Sequence, residues 1–126
     1  MNDNPFALVI EDDPDASAIF SAALRAARFE VETINTGNKA IERLKVTTPA
    51  MIVLDMHLPH VAGPEILKYI RADPRLAETQ VIIATADASM AEIADDQADL
   101  VLLKPISFSQ IRDLAKRLRD PRGSAA

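Results

Sequence analysis

Apolar and polar positions alternate in blocks along the chain. Four short runs are continuously apolar and end at polar residues: Phe6–Ile10, Met51–Leu54, Val81–Ala84 and Leu100–Leu103. Such runs are typical of strands that are buried on both faces of a parallel sheet. The segment Phe29–Ile34 instead alternates apolar and polar residues, which predicts a strand nearer the edge of the sheet.

Between these runs, apolar residues recur at the spacing of α-helices. Helices are predicted to begin near Pro14, Gly37, Gly63 and Ser107, and a short, weak one covers Met90–Ala94. Proline suits the first turn of a helix, and serine is a favoured N-cap residue. The predicted inward-facing positions of the four longer helices are Ala16, Ile19, Phe20, Ala23, Leu24 and Ala27; Ala40, Ile41 and Leu44; Ile66, Leu67 and Ile70; and Phe108, Ile111, Ala115 and Leu118.

Five strand–helix units predict the fold class. In a chain of 126 residues they favour a single α/β domain, with a parallel sheet and helices on both of its faces. A domain of this length buries enough surface to fold without disulfides or structural metals. We expect the domain to span residues 1–119, and residues 120–126 to form a flexible tail or the start of a linker.

Composition excludes several classes of function. Without cysteine, the chain has no disulfide framework, no thiolate nucleophile and no Cys-ligated metal centre. Aromatic residues make up 4% and the formal net charge is −5, which argues against direct binding of nucleic acids. Apolar runs are far shorter than the roughly 20 residues of a membrane-spanning helix. Met1–Pro5 carries no basic residue of the kind that opens a signal peptide, so a cytoplasmic protein without a membrane partner is expected.

Polar side chains of complementary chemistry follow the apolar strands. Glu11 and Asp12 follow the first strand, Asp55 the third, Thr85 the fourth and Lys104 the fifth. Because ligands of open parallel sheets bind at the carboxyl ends of the strands, we expect these side chains to converge. Clustered carboxylates need a proton or a cation, and hard oxygen ligands in an incomplete shell suit Mg²⁺. A carboxylate beside Mg²⁺ can attack phosphorus, while a hydroxyl and an ammonium group hold the phosphoryl oxygens.

These motifs resemble the receiver domain of two-component response regulators, over essentially the whole chain from Phe6 to about Leu118. The resemblance is carried by four segments in order, each at a strand end: Val9–Asp13, Leu54–Pro59 with Gly63 after it, Ala84–Ala86, and Lys104–Pro105. It implies a flavodoxin-like (βα)5 fold, which is a doubly wound parallel sheet of five strands in the order 2-1-3-4-5.

The resemblance also implies roles for individual residues. Asp55 would be the phosphoacceptor that forms an aspartyl phosphate, and Thr85 and Lys104 would contact the phosphoryl group. The implied Mg²⁺ ligands are Glu11, Asp12, Asp55 and the main-chain carbonyl of His57. The phosphoryl group would come from a histidine kinase or a phosphotransfer protein, and phosphorylation would switch the binding of a downstream protein. The chain would not be an enzyme beyond Mg²⁺-dependent self-phosphorylation and autodephosphorylation.

Two features depart from the family's usual pattern. The interval from Thr85 to Lys104 is a few residues short, and the shortfall lies in the fourth helix. Val101 stands where the family usually has Tyr or Phe, whose ring changes rotamer as the threonine moves. The phosphoacceptor site is therefore expected to be intact, whereas the output signal is expected to act mainly by ordering or shifting residues 86–99. Met90 and Ile93 should be the chief apolar anchors of that segment.

Alternatives remain open from the sequence. The chain could be a phosphorylation-independent interaction module on a receiver scaffold, which the short fourth helix favours. It could also be a phosphohydrolase of the haloacid dehalogenase type, which His57 in place of a second aspartate disfavours. Asp12 and Asp13 could simply cap the first helix. A basic cluster is either a solvated helix face or a patch for an acidic partner: Arg112, Lys116, Arg117, Arg119 and Arg122.

Two further predictions concern the loops around the site. The tight turn after the fifth strand and the resemblance both predict a cis Lys104–Pro105 peptide bond. His57 and Asp87 each lie two residues beyond a site residue. We expect both to overhang the site, where they would tune the lifetime of the phosphoryl group by orienting or obstructing the attacking water.

Overall fold

Strands and helices alternate through residues 4–120, the part of the chain that the computed structural model describes. The strands are β1 (Phe6–Ile10), β2 (Glu30–Ile34), β3 (Met51–Asp55), β4 (Gln80–Thr85) and β5 (Leu100–Leu103). The helices are α1 (Pro14–Ala26), α2 (Gly37–Leu44), α3 (Gly63–Ala72), α4 (Ala88–Ala94) and α5 (Phe108–Arg119), and a 3₁₀ turn covers Pro74–Leu76. Each predicted strand and helix is confirmed. The predicted tail, apart from Asp120, lies outside the described residues.

All neighbouring strands pair in parallel, and the sheet order β2-β1-β3-β4-β5 confirms the prediction. The edge position predicted for β2 is also confirmed. β5 forms the other edge, and its first three residues are only half-buried while Leu103 is 53% exposed. The prediction that this apolar run is buried on both faces is therefore wrong. The reason is that β5 has a neighbouring strand, β4, on one side only.

The helices cover both faces of the sheet, as predicted. Residues of α1 and α5 pack with Ala7 and Val9 of β1 on one face. Residues of α2, α3 and α4 pack with Leu8 and Ile10 on the other face. The alternation along β1 follows the period of two that a strand imposes on its side chains. None of the helices in residues 4–120 is both long enough and apolar enough to cross a membrane.

Two predicted inward-facing helix positions are wrong. Ile19 of α1 is 43% exposed, because it lies at the border of the apolar stripe, one residue before the buried Phe20. Phe108 is exposed because it opens α5, and its ring centroid lies 5.6 Å from the guanidinium carbon of Arg112. The remaining predicted positions are buried or half-buried, so the apolar stripes orient each helix on the sheet.

The short helix α4 has fewer apolar contacts than its sequence suggests. Met90 is half-buried against the core, but Ile93 is 67% exposed, so the prediction that Ile93 anchors the helix is wrong. The chain after α4 is instead held by Arg71, whose guanidinium donates to the carbonyl of Gln97 at 2.6 Å and to the carboxylate of Asp99 at 3.1 Å. Polar contacts therefore secure the end of this segment.

Candidate functional site

Acidic side chains from two strands meet at the carboxyl edge of the sheet. Glu11 and Asp12 directly follow β1, and Asp55 is the last residue of β3. One carboxylate oxygen of each residue lies within 4.8 Å of the other two. Glu11 and Asp55 are buried, whereas Asp12 is exposed. The structure thus brings together the three predicted acidic residues in a cluster that extends from the core to the solvent.

The ammonium group of Lys104 neutralises part of this acidic cluster. Its Nζ donates to Oε1 of Glu11 at 2.6 Å and lies 3.7 Å from Oδ1 of Asp55. Sequence reasoning directed Lys104 at Asp55 and missed the shorter contact with Glu11. The signal that could have revealed it is the length of the glutamate side chain at a position where the resembled family often has aspartate. The Lys104–Pro105 peptide bond is cis, which confirms that prediction.

The carboxyl group of Glu11 has an unusual environment. Its pKa is raised from 4.5 to about 7: burial is the largest cause, the hydrogen bond from Lys104 opposes the shift, and the negative charge of Asp55 adds to it. The main-chain N–H of Asp13 donates to Oε2 of Glu11 at 3.2 Å and also opposes the shift. The negative charge of Glu11 is therefore unfavourable in this buried position unless a further cation lies beside it.

The loop after β3 folds back over Asp55. The main-chain N–H of His57 donates to Oδ1 of Asp55 at 3.3 Å, and the N–H of Gly63 donates to the carbonyl of Met56 at 3.1 Å. A Cβ atom at Gly63 would lie 2.5 Å from the carbonyl oxygen of Asp55, so this close approach requires glycine. The motif residue Gly63 thus fixes the loop that carries the main chain of His57.

Thr85 lies at the end of β4 with its side chain fully buried. Its Oγ1 accepts a hydrogen bond from the main-chain N–H of Asp87 at 3.1 Å. Nε2 of His57 lies 3.5 Å from Oδ2 of Asp87, and both side chains are partly exposed. The two residues predicted to overhang the site therefore meet each other, and they connect the loops that follow β3 and β4.

The capping alternative applies to Asp13 rather than to Asp12. Oδ2 of Asp13 accepts from the main-chain N–H of Ala16 at 2.9 Å and caps α1. Asp12 belongs to the acidic cluster, and Asp13 does not. The two adjacent aspartates therefore have separate tasks, one in the site and one in the helix.

The chemistry of the acidic cluster fits a divalent cation of the Mg²⁺ type. Mg²⁺ prefers oxygen ligands, and it keeps several waters when one or two carboxylates hold it beside a phosphoryl group. The exposed side chain of Asp12 leaves the cluster open to solvent on one side. A cleft of about 790 Å³ between α1, α2 and the end of β2 also reaches Glu11 and Asp12. Water and a ligand can therefore approach the cluster.

Residues 7–116 match the family described as the response regulator receiver domain. Among similar proteins, the two-component response regulator ORR5 of Oryza sativa subsp. japonica is 30% identical over 118 residues, covering 90% of this chain and 88% of that protein. A putative transcriptional regulator of Haloferax volcanii is 32% identical over 111 residues, covering 88% of this chain and 19% of that protein.

A solved structure shares the fold. It is the receiver domain of the sensor histidine kinase PA1611 from Pseudomonas aeruginosa, with a magnesium ion coordinated in its active-site cleft. The TM-score is 0.80 at 22% sequence identity, over 91% of this chain and 97% of that chain. At this identity the comparison shows a common fold, in agreement with the strand order described above.

Proposed function

Because the chain belongs to the family of response regulator receiver domains, we propose that Asp55 accepts a phosphoryl group in a Mg²⁺-dependent reaction and that this modification switches partner binding. The observation that carries the proposal is the acidic cluster itself. Glu11, Asp12 and Asp55 offer carboxylate oxygens within 4.8 Å of one another, with the ammonium group of Lys104 beside them. This is the donor set that phosphoryl transfer to a carboxylate needs.

In the proposed reaction, a carboxylate oxygen of Asp55 attacks the phosphorus of a phosphohistidine on the donor protein. A P–O bond forms while the P–N bond breaks, and the leaving imidazole of the donor takes up a proton. The hydrogen bond from the N–H of His57 holds one oxygen of Asp55 in place. A fixed nucleophile reacts faster because its orientation is set before the donor arrives.

Further residues of the site stabilise the charge of the transferred group. Lys104, whose ammonium group lies 3.7 Å from Asp55, would pair with one phosphoryl oxygen, and the hydroxyl of Thr85, at the end of the neighbouring strand, would hydrogen-bond another. Bound Mg²⁺ would supply a positive charge at the phosphoryl oxygens. We assign its ligands to Glu11, Asp12, Asp55 and the main-chain carbonyl of His57.

The lifetime of the aspartyl phosphate is proposed to depend on His57 and Asp87. Hydrolysis forms a bond between a water oxygen and phosphorus and breaks the bond to Asp55, which releases inorganic phosphate. We expect the contacting side chains of His57 and Asp87 to orient or obstruct that water. His57→Ala and Asp87→Asn should each change the rate of phosphate loss, and Asn retains the capacity of Asp87 to cap α4. Wild-type rates in both variants would contradict this role.

We propose a histidine kinase or a phosphotransfer protein as the donor and a further protein as the target of the switch. The similarity to a two-component response regulator of almost the same length supports this assignment. The similarity to a small part of a longer transcriptional regulator shows that such a segment also occurs within larger chains. We assign the receiver module to residues 1–119.

Phosphorylation by acetyl phosphate tests the proposed function. Incubation with acetyl phosphate and MgCl₂ should increase the intact mass of the protein by one phosphoryl group. Asp55→Asn should abolish the gain, whereas Asp13→Asn should not, since Asp13 caps α1 outside the cluster. A wild-type protein that gains no mass in the presence of Mg²⁺ would contradict the proposal.

A second candidate function is an interaction module that works without phosphorylation. The observation that favours it is Val101, which is half-buried against the core where the family usually has an aromatic ring. A partner that binds wild type and Asp55→Asn equally well, with and without acetyl phosphate, would support this second function.

A further inference from the structure

The first turn of α2 contacts the loop that follows the proposed phosphoacceptor. The main-chain N–H of Gly37 donates to the carbonyl of Pro59 at 3.1 Å. Thr36 occupies the N-cap position, but its side chain makes no capping hydrogen bond. Its buried Oγ1 has no hydrogen-bond partner within residues 4–120. A carbonyl of the loop, rather than the threonine side chain, thus accepts from one of the free N–H groups at the start of α2.

The contact leaves no space for a side chain at Gly37. An added Cβ atom would overlap the carbonyl oxygen of Val61 and lie 2.7 Å from both its carbonyl carbon and its Cβ. Two of these atoms belong to the main chain, so they cannot move aside by a change of rotamer. Any residue larger than glycine must push α2 and the loop apart.

The loop has little freedom to absorb such a displacement. His60 has a positive φ of 71°, a conformation that few non-glycine residues adopt. The N–H of Val61 donates to the carbonyl of Pro59 at 2.9 Å, and the N–H of Gly63 donates to the carbonyl of Met56. A shift at Val61 is therefore transmitted along this tightly bonded loop toward His57 and Asp55.

We propose that Gly37 is a positioning residue for phosphorylation, because it fixes the loop that carries the His57 main chain beside Asp55. The inference rests on the proposed function, but Gly37 is not itself a member of the acidic cluster. Its contribution is the absence of a side chain, together with an N–H group that holds the loop through Pro59.

The test compares Gly37→Ala with two matched controls. Asn38→Ala changes the adjacent, exposed residue of α2, and Leu44→Ala lowers stability by opening a cavity at the other end of the same helix. A misplacement of about 1 Å can reduce a rate on the order of 100-fold, so we expect Gly37→Ala to slow phosphorylation by acetyl phosphate by roughly 10-fold to 100-fold. Its Mg²⁺ affinity, measured by NMR titration of folded protein, should also fall.

Both controls should keep the wild-type Mg²⁺ affinity and phosphorylation rate at a temperature where they are folded. A purely structural role for Gly37 would instead make Gly37→Ala behave like Leu44→Ala, with lower stability and wild-type site properties, and would overturn the inference. The amide resonances of His57 and Val61 should shift in metal-free Gly37→Ala and keep their positions in Asn38→Ala. Unchanged resonances in Gly37→Ala would also overturn it.

The wild-type protein provides a test that needs no folded variant. During the Mg²⁺ titration, the amide resonance of Gly37 should follow the same binding curve as that of His57. The reason is that Gly37 is hydrogen-bonded to Pro59, in the loop to which His57 belongs. A Gly37 resonance that stays constant would contradict the inference. If the wild type binds Mg²⁺ but accepts no phosphoryl group, the proposed function fails, whereas the affinities and loop resonances still decide the role of Gly37.

Discussion

Adjacent residues at the end of β1 have different environments and tasks. Glu11 is buried and bonded to Lys104, Asp12 is exposed within the acidic cluster, and Asp13 caps α1. Asp12 and Asp13 have identical side chains, but only Asp12 belongs to the cluster with Asp55. The direction in which the chain leaves the strand therefore decides which carboxylate belongs to the site.

Neutralising Asp12 or Asp13 should have unequal effects on Mg²⁺ binding. Asp12→Asn removes a carboxylate from the acidic cluster, and we expect the Mg²⁺ affinity to fall by about 10-fold or more. Asp13→Asn removes the same charge outside the cluster and keeps a good N-cap residue, so the affinity should stay close to that of the wild type. NMR titration with MgCl₂ measures both affinities. Equal affinities in the two variants would contradict the assignment of Asp12.

The stability of the metal-free protein should fall with rising pH because of Glu11. The folded-state pKa of about 7 lies above the ordinary value of 4.5, so the folded state binds the proton more tightly than the unfolded state. The stability that Glu11 contributes is therefore complete below pH 4.5 and is lost as the pH rises through 7. As the pH rises from 4.5 to 7, the free energy of unfolding of the wild type should therefore fall by roughly 3 kcal/mol relative to that of Glu11→Gln, which cannot titrate at this position.

Urea unfolding in Mg²⁺-free buffer at several pH values measures this difference. Glu78→Gln is the matched control, because Glu78 is exposed and lies outside the acidic cluster. A difference between Glu11→Gln and wild type that stays constant with pH would disprove the effect of burial.

At the scale of single elements, the N-termini of α2 and α5 are capped in different ways. Ser107 and Gln110 form a reciprocal capping box at α5, where the N–H of Gln110 donates to the Ser107 hydroxyl at 3.1 Å. Thr36 at α2 makes no such bond, and the loop carbonyl of Pro59 accepts from Gly37 instead. Both sequences contain a favoured N-cap residue, but tertiary contacts decide whether its side chain is used.

Substitution of the two N-cap residues should therefore affect stability in different directions. Ser107→Ala should lower the free energy of unfolding by about 1 kcal/mol, because it removes a capping hydrogen bond. Thr36→Val should leave stability unchanged or raise it, since it replaces a buried hydroxyl that lacks a partner in the described part of the chain. Urea unfolding measures both. A loss in Thr36→Val as large as that in Ser107→Ala would show that the threonine does cap α2.

At the scale of the whole molecule, packing is tight around the central strands and weak on the side of the sheet formed by β5 and α4. The strands β1, β3 and β4 are almost wholly buried, whereas β5 forms an edge and α4 keeps Ile93 in solvent. Segments with few buried apolar contacts open at low free-energy cost. Residues 86–99 are therefore the part of the molecule that we expect to respond most to phosphorylation.

Hydrogen exchange should locate this response. A change from about 1% to about 99% of the active form requires roughly 5.5 kcal/mol of differential stabilisation. Val101 has no ring that could transmit a shift of Thr85, and its branched side chain has few rotamers. With Mg²⁺ and beryllofluoride as a phosphoryl mimic, protection should increase in residues 86–99 of the wild type and stay unchanged in Asp55→Asn. Unchanged protection there, with changes confined to α1, would contradict this prediction.

The elements of the fold and the chemistry of the site follow from local patterns. Continuous apolar runs and helical spacing predict the bounds of the strands and the starts of the helices within about two residues, because a strand or helix repeats over a short stretch of chain. The acids, the hydroxyl and the lysine are visible because each directly follows an apolar run that ends at the same edge of a parallel sheet. Because these motifs also occur in the same order as in receiver domains, the sequence alone indicates the family.

The details that tertiary structure decided all depend on contacts between distant parts of the chain. The edge position of β5 exposes Leu103, although its apolar run resembles those of the buried strands. Lys104 lies nearer to Glu11 than to Asp55, and Gly37 packs against Val61. Local sequence sets the shape of each element, but which strands have two neighbours and which loops meet depends on how the elements pack around a common core. That packing brings together residues far apart along the chain.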